Sequence, residues 1–150
     1  MKIRILTQEQ AQAADARIWE AYIDLISSEQ LPDLSDVQRP AALVFRYGSE
    51  VRNGGHLQYF TTQGTGHIPD LLAALLSLGA HTHHGILTEA SSAYTNQPEP
   101  FIAAVEQYCS TTLEDEFVEY DNGFHECSPE LDHYLKAYLE SNRDHFVLVR

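Results

Sequence analysis

The stretch Ile68-Pro69-Asp70-Leu71-Leu72-Ala73-Ala74-Leu75-Leu76-Ser77-Leu78-Gly79 decides the fold class of this chain of 150 residues. Pro69 suits the first turn of a helix, where its missing N–H would have no intrahelical partner, and Gly79 suits the position that ends one. Leucine occupies so many positions between them that the helix is apolar nearly all round. We therefore predict an all-α protein with this helix at the centre of the bundle.

Two capping boxes mark helix starts on the N-terminal side of this stretch. Thr7-x-x-Gln10 opens a first helix and Ser35-x-x-Gln38 a second, because in each box the two side chains bond reciprocally to backbone N–H groups. Asn53-Gly54-Gly55 then predicts a stop or a turn, since glycine adopts positive φ without steric cost. A short helical piece through Tyr59 and Phe60 follows it.

The C-terminal side continues the helical pattern. We predict helices over about residues 82–94, from Phe101 onwards, over 113–120 and after Ser128-Pro129-Glu130, with a turn at Asp121-Asn122-Gly123. The apolar runs 3–5 and 146–149 predict two short terminal strands. Because no linker or repeat separates these elements, we interpret residues 1–150 as one domain of about six to eight helices.

The helix predicted over residues 113–120 is amphipathic. Leu113 and Phe117 recur at helical spacing on one face, and Tyr120 extends that face. The opposite face carries three acidic residues, Asp115, Glu116 and Glu119.

Charge is distributed unevenly along the chain. Nine basic and 22 acidic residues give a net charge of −13, and no basic residue falls between positions 53 and 135. Twelve acidic residues lie in that segment, which is unusual because surface helices normally alternate charges of both signs. Nucleic-acid phosphates need a basic footprint, so we expect no direct binding to nucleic acid.

The hydropathy pattern predicts a cytoplasmic protein without a membrane partner. The apolar start, residues 3–6, is too short for a secretory signal, and the run Leu71–Leu78 is far below the roughly 18 residues needed to span a bilayer. Cys109 and Cys127 are interpreted as reduced, structural thiols.

Histidines offer a metal site as an alternative. His81 and His84 lie three residues apart and share a face of the predicted helix, with His83 beside them and His67 nearby in sequence. Imidazoles bind zinc or nickel, but such a site needs a third or fourth ligand fixed by the fold. We therefore expect no cofactor, and we keep His81 and His84 as candidate metal ligands.

Catalytic motifs are missing from the sequence. It contains no G-x-S-x-G, P-loop or G-x-G-x-x-G pattern, and Gly64-x-Gly66 lacks the preceding strand and basic residue of a phosphate cradle. Carboxylates are plentiful, but their number alone identifies no acid or base. We expect a binding protein rather than an enzyme.

A recognisable motif lies in residues 50–60. Its sequence is Glu50-Val51-Arg52-Asn53-Gly54-Gly55-His56-Leu57-Gln58-Tyr59-Phe60. Together with Gly64, Ala74-Leu75, Leu78-Gly79-Ala80 and Ile86-Leu87, it resembles a family of small bacterial all-helical proteins of largely unknown function. The motif of that family runs E-hydrophobic-x-N-G-G-aromatic-x-Q-Y-F, and its best-known member is a dimeric DNA-mimic protein. The resemblance implies an all-helical fold, although His56 replaces the aromatic apolar residue usual at its position.

The motif residues are interpreted as structural, with a polar cluster facing a pocket as the alternative. In the structural interpretation the glycines turn the chain, the aromatic rings pack, and Gln58 satisfies backbone groups. The residues concerned are Glu50, Asn53, Gly54, Gly55, Gln58, Tyr59 and Phe60.

Charge and resemblance together predict an acidic binding protein that imitates DNA for a basic partner, such as a transcription regulator. One helix with an acid at every third or fourth residue offers about one charge per 5 Å, about threefold sparser than duplex DNA. Two or three acidic helices side by side, or a homodimer, would supply the density. The predicted partner-binding residues, called the acidic face, are Glu106, Glu114, Asp115, Glu116, Glu119, Asp121, Glu126, Glu130 and Asp132.

Three other interpretations remain open at this point. An inhibitor or immunity-type binder of a basic toxin or nuclease would carry the same charge pattern. A histidine-based metal-binding protein would use His81 and His84 instead. The plainest alternative is an acidic surface that only keeps the protein dispersed.

Overall fold

The computed structural model describes residues 2–13, 15–96 and 111–150, and for residues 15 and 111–116 it describes the backbone alone. Within these ranges lie two short strands, β1 (Arg4–Leu6) and β2 (Val147–Val149), and two 3-10 turns, Leu31–Asp33 and Arg143–His145. The α-helices in the same ranges are α1 (Gln8–Ala13), α2 (Asp15–Ser28), α3 (Gln38–Gln63), α4 (Ile68–Leu78), α5 (His81–Thr95), α6 (Thr111–Glu126) and α7 (Leu131–Ser141). The predicted all-α fold class is confirmed. The helix predicted from Phe101 lies outside the described residues.

Both predicted capping boxes are present. The Thr7 N–H donates to the Gln10 side chain at 3.0 Å and the Gln10 N–H to Thr7 Oγ1 at 3.1 Å. Ser35 and Gln38 make the same pair at 3.0 and 3.2 Å. The buried Gln38 amide also donates to the carbonyl oxygens of Lys2 and His145, each at 2.6 Å. One side chain therefore joins the start of α3 to segments near both ends of the chain.

Helix α3 lies at the centre of the bundle, where it packs against α2, α4, α5, α6 and α7. Small residues on its buried surface, including Ala41, Ala42 and Gly48, let neighbouring helices approach closely. The Leu-rich helix α4 was predicted to be central, but it packs on α3, α5 and α7 and leaves Leu76 45% exposed. Neither α4 nor any other helix in the described ranges combines the length and apolar character needed to cross a bilayer.

The predicted interruption near Asn53-Gly54-Gly55 is confirmed as a kink inside α3. Gly55 has φ 80° and ψ 179°, which breaks the helical geometry, and the helix resumes after it and continues to Gln63. The end of α4 also agrees with the prediction, since Gly79 adopts the left-handed conformation with φ 84°.

The turn predicted at Asp121-Asn122-Gly123 is wrong, because α6 continues through these residues to Glu126. Phe124 inserts into the core and is 5% exposed. The Ile86 side chain lies against Gly123, 3.5 Å from the place where a Cβ would stand. Tertiary packing of the helix therefore outweighs the local preference of Asn-Gly for a turn.

The two predicted terminal strands are present, and the structure shows that they pair in parallel. Arg4 lies opposite Val147 and Leu6 opposite Val149. Backbone hydrogen bonds of 2.9 Å run from the Arg4 N–H to the Phe146 carbonyl and from the Arg150 N–H to the Leu6 carbonyl. The buried Phe146 ring meets the Tyr22 ring of α2 edge-on, with centroids 4.7 Å apart, so the strand pair is fastened to the helices.

Replacing Gln38 by Met should lower the free energy of unfolding by about 2 kcal/mol or more, because two partly buried carbonyl groups lose their donor. Urea unfolding monitored by circular dichroism measures the change. Gln10→Met is the matched control, since Gln10 has the same capping role on an exposed helix, and it should cost about 1 kcal/mol or less. Equal losses in the two variants would contradict the bridging role of Gln38.

Candidate partner-binding surface

Helix α6 carries much of the predicted acidic face. Phe117 and Phe124 are buried on its inner side, where α6 packs against α3 and α5. Glu119 and Glu126 are exposed and lie seven residues apart, which places them on the same outward face of the helix. Among the side chains of α6 that the structure describes, the two phenylalanines thus face the core and these two glutamates face outward.

The structure divides the nine residues of the acidic face into three groups. Glu119, Glu126 and Glu130 are exposed. Asp121 and Asp132 are partly buried, and both contact other side chains. The remaining four belong to parts that the structure does not describe in full: Glu106 lies outside the described residues, and for Glu114, Asp115 and Glu116 only the helical backbone is described.

Asp121 holds the kink of α3 in place. Its Oδ1 atom accepts hydrogen bonds from the backbone N–H and the ring Nδ1 of His56, both at 2.8 Å. The interruption of the helix at Gly55 leaves the next N–H in need of an acceptor, and Asp121 supplies it from a position 65 residues further along. The carboxylate retains 24% side-chain exposure, so one part of it still faces solvent.

His56 is fully buried between Asp121 and Tyr47, and its Nε2 atom lies 2.7 Å from the Tyr47 hydroxyl. A carboxylate can only accept, so the proton of a neutral ring lies on Nδ1 and Nε2 accepts from Tyr47. Burial raises the pKa of Tyr47 well above its ordinary value, which keeps the hydroxyl protonated and able to donate. The histidine that replaces the family's apolar aromatic residue is thus a buried, fully bonded link between α3 and α6.

Gly55 is required at the kink for two reasons. Its φ of 80° lies in the left-handed region that other residues rarely adopt. A Cβ on this residue would also overlap the Asp121 carboxylate. The close approach of Asp121 to the backbone therefore depends on glycine at position 55.

The other motif residues lie in α3, on either side of Gly55. The Gln58 side chain donates to the Glu50 carboxylate at 2.9 Å, whereas the sequence interpretation had it satisfying backbone groups. Tyr59 and Phe60 are buried, and Asn53 is exposed. Burial and the nearby Glu50 charge raise the pKa of Tyr59 to about 12.

Asp132 pairs with Arg52, an arginine far from it in sequence. Its Oδ1 atom lies 3.4 Å from a guanidinium nitrogen of Arg52, with both side chains partly exposed. The segment without lysine or arginine is therefore neutralised at this one described position by a residue that precedes it in sequence. The sequence gives no local signal for a contact between residues 80 positions apart.

The histidines of α5 have different environments. His81 is exposed and His84 is half-buried, while His83 is 1% exposed, with its ring edge-on to Phe124 and Tyr134. In the part of the chain that the structure describes, no three His, Cys, Asp or Glu side chains are grouped as a metal ion requires. The Cys127 thiol contacts the Gly123 carbonyl at 3.2 Å, and burial raises its pKa.

His83 is uncharged at neutral pH. Burial, together with the positive charge of Arg52, lowers its pKa to about 4, and its Nδ1 atom has no hydrogen-bond partner among the described residues. Protonation of His83 would place a buried positive charge between the Phe124 and Tyr134 rings, at a cost in free energy.

A double-mutant cycle tests the link between α3 and α6. Asp121→Ala should lower the free energy of unfolding by about 2 kcal/mol, because the buried His56 groups lose a charged acceptor. His56→Phe should also destabilise, and the double variant should lose at least about 1 kcal/mol less than the sum. Urea unfolding supplies the values, and Glu119→Ala, which removes an exposed acid from the same helix, should change stability by about 0.5 kcal/mol or less. Additive losses would show that the two residues act independently.

Stability should depend on pH through His83. The unfolded chain binds a proton as the pH falls through about 6.5, whereas the folded state does so only near 4. The contribution of neutral His83 is therefore complete above pH 6.5 and is lost between about 6.5 and 4, by up to about 3 kcal/mol. His83→Phe should flatten the pH dependence of unfolding in this window relative to the exposed control His81→Gln. Identical slopes in the two variants would refute this assignment.

Comparison with known proteins gives one family match. The model of a family described as DMP19-like protein matches residues 32–142, a range that contains the whole motif of residues 50–60 and helices α3 to α7. No curated protein and no solved structure matches the chain significantly.

Proposed function

The chain belongs to the DMP19-like protein family, and on that premise we propose that it is an acidic binding protein that imitates DNA. Its exposed carboxylates occupy the nucleic-acid-binding face of a basic cytoplasmic partner, such as a transcription regulator. The observation that carries this proposal is the distribution of charge: residues 53–135 contain no lysine or arginine, and the exposed acids of this segment form no ion pair with a described side chain.

Ion pairs among the described residues are concentrated near the N-terminus. Lys2, Arg4, Arg17 and Arg39 each pair with an acid within the first 36 residues. Exposed acids of the later segment form no ion pair with a described side chain: Asp70, Glu89, Glu119, Glu126 and Glu130. Without neighbouring cations their potentials add, which attracts a basic partner and speeds its encounter.

Helical geometry aligns part of these charges. Positions 115, 119 and 126 fall within one stripe of α6, and they span about 16 Å along its axis from the rise of 1.5 Å per residue. Glu130 follows directly as the residue before α7. The negative charges of this stripe are spaced more widely than the phosphates of duplex DNA. We therefore propose that a second copy of the chain extends the stripe in a homodimer.

Two of the nine residues have a different role in this proposal. Asp121 and Asp132 are held by His56 and Arg52, so they fix the helices that carry the exposed acids. The docking charge then comes from Glu119, Glu126 and Glu130 on the described surface.

Charge reversal tests the proposal. The protein, immobilised and exposed to a lysate, should retain a DNA-binding protein that mass spectrometry identifies and that excess duplex DNA displaces. The variant Glu119→Lys/Glu126→Lys/Glu130→Lys should lose this capture, because the stripe changes sign. Glu9→Lys/Asp33→Lys/Asp144→Lys is the matched control with the same change in net charge on exposed residues outside the segment, and it should retain capture.

The identity of the captured protein separates the alternatives. A toxin or nuclease in place of a DNA-binding regulator would favour the inhibitor interpretation. Equal loss of capture in both triple variants would show that only net charge matters, and unchanged capture in the first would exclude this surface.

A further inference from the structure

A cavity lies away from the acidic face, between the start of α2 and the end of α7. It is an open pocket of about 660 Å³, within the size range of small-molecule sites. The residues that matter for its chemistry are Ile18, Trp19, Lys136, Leu139, Glu140 and Arg143. None of them belongs to the acidic face.

The floor of the pocket is apolar. Ile18 and Leu139 are core residues, 9% and 6% exposed, and the Trp19 ring is half-buried beside them. Trp19 meets the Tyr22 ring at a centroid distance of 5.6 Å, so its indole is supported from the core side. A flat apolar group in the pocket can therefore contact the Trp19 ring and the aliphatic side chains of Ile18 and Leu139.

The rim of the pocket is positively charged, in contrast to the rest of this acidic molecule. Lys136 and Arg143 are exposed, and neither forms an ion pair with a carboxylate among the side chains that the structure describes. The Lys136 ammonium lies 5.3 Å from the centroid of the Trp19 ring, which holds it at the pocket edge. Glu140 is the only acid among the lining residues whose side chains the structure describes, and with Lys136 and Arg143 it gives them a net charge of +1.

We propose that this pocket binds a small aromatic monoanion, a flat ring system with one carboxylate or sulfonate group. The ring lies on Ile18 and Leu139 and against Trp19. The anionic group lies between Lys136 and Arg143, where the guanidinium offers paired donors that match its oxygens. The proposal does not depend on DNA mimicry, since it uses other residues and a ligand of opposite charge to the basic partner.

Trp19 makes the test direct because it is the only tryptophan of the chain. The probe is 8-anilinonaphthalene-1-sulfonate, and its neutral analogue N-phenyl-1-naphthylamine lacks the sulfonate. With excitation of tryptophan at native pH, the anionic probe should quench Trp19 emission saturably, with one site per chain. The neutral analogue should bind more weakly.

Lys136→Met and Arg143→Gln should each weaken binding of the anionic probe about fivefold, the factor for loss of an exposed charge pair of about 1 kcal/mol. Neither change should alter binding of the neutral analogue. Arg150→Gln, which removes an exposed cation outside the pocket, is the matched control and should leave both affinities unchanged. Glu140→Gln should tighten binding of the anionic probe, because it raises the charge of the rim.

Three outcomes would overturn the proposal: quenching that does not saturate, equal affinity for the two probes, or equal weakening by Arg150→Gln and the two pocket variants. Circular dichroism confirms that each variant is folded. If one cationic variant fails to fold, the other variant and Glu140→Gln still test the proposal. The first lowers the positive charge of the rim and Glu140→Gln raises it, so their effects on the affinity for the anionic probe should be opposite.

Discussion

The hydrogen bonds between Asp121 and His56 are the interaction on which the arrangement of the helices depends. The break at Gly55 gives α3 two segments with different directions, and it leaves a buried backbone N–H without its helical acceptor. Asp121 satisfies that group and the imidazole together, and it thereby fixes α6 against the second segment of α3. Glu119 and Glu126, which are exposed on α6, therefore belong to a helix that the Asp121 contact holds in place.

Carboxylates therefore serve two purposes in this molecule. Glu20, Asp24, Glu29 and Asp36, in the first part of the chain, pair with lysine or arginine. Glu29 pairs with both Lys2 and Arg4, and the hydrogen bond from Arg4 is the main cause that lowers its pKa. Asp121 and Asp132 fasten helices to each other. The exposed acids of the segment without basic residues do neither on the described surface. In the function that we propose, these acids are the ones that a basic partner contacts.

Local sequence signals were sufficient for most of the fold. Reciprocal capping pairs located the starts of α1 and α3, and Gly55 and Gly79 located a kink and a helix end, because these features depend on residues within a few positions of each other. The signals failed at residues 121–123, where Phe124 and Ile86 hold a helix through a sequence that favours a turn. The roles of Asp121 and Asp132 could not be predicted from local sequence either, because their partners lie 65 and 80 positions away. His56 did give a signal, a polar residue at an apolar position of the motif, but nothing in the sequence indicated its partner.

The parallel pairing of β1 and β2 has a mechanical consequence. Because the two strands are parallel, the start of β1 and the end of β2 lie at opposite ends of the ladder. Tension that pulls these two points apart acts along the strands and loads their hydrogen bonds together in shear, rather than opening them one after another. We therefore expect the short ladder, together with the bonds from the Gln38 amide to the Lys2 and His145 carbonyl groups, to resist such tension before the helices extend.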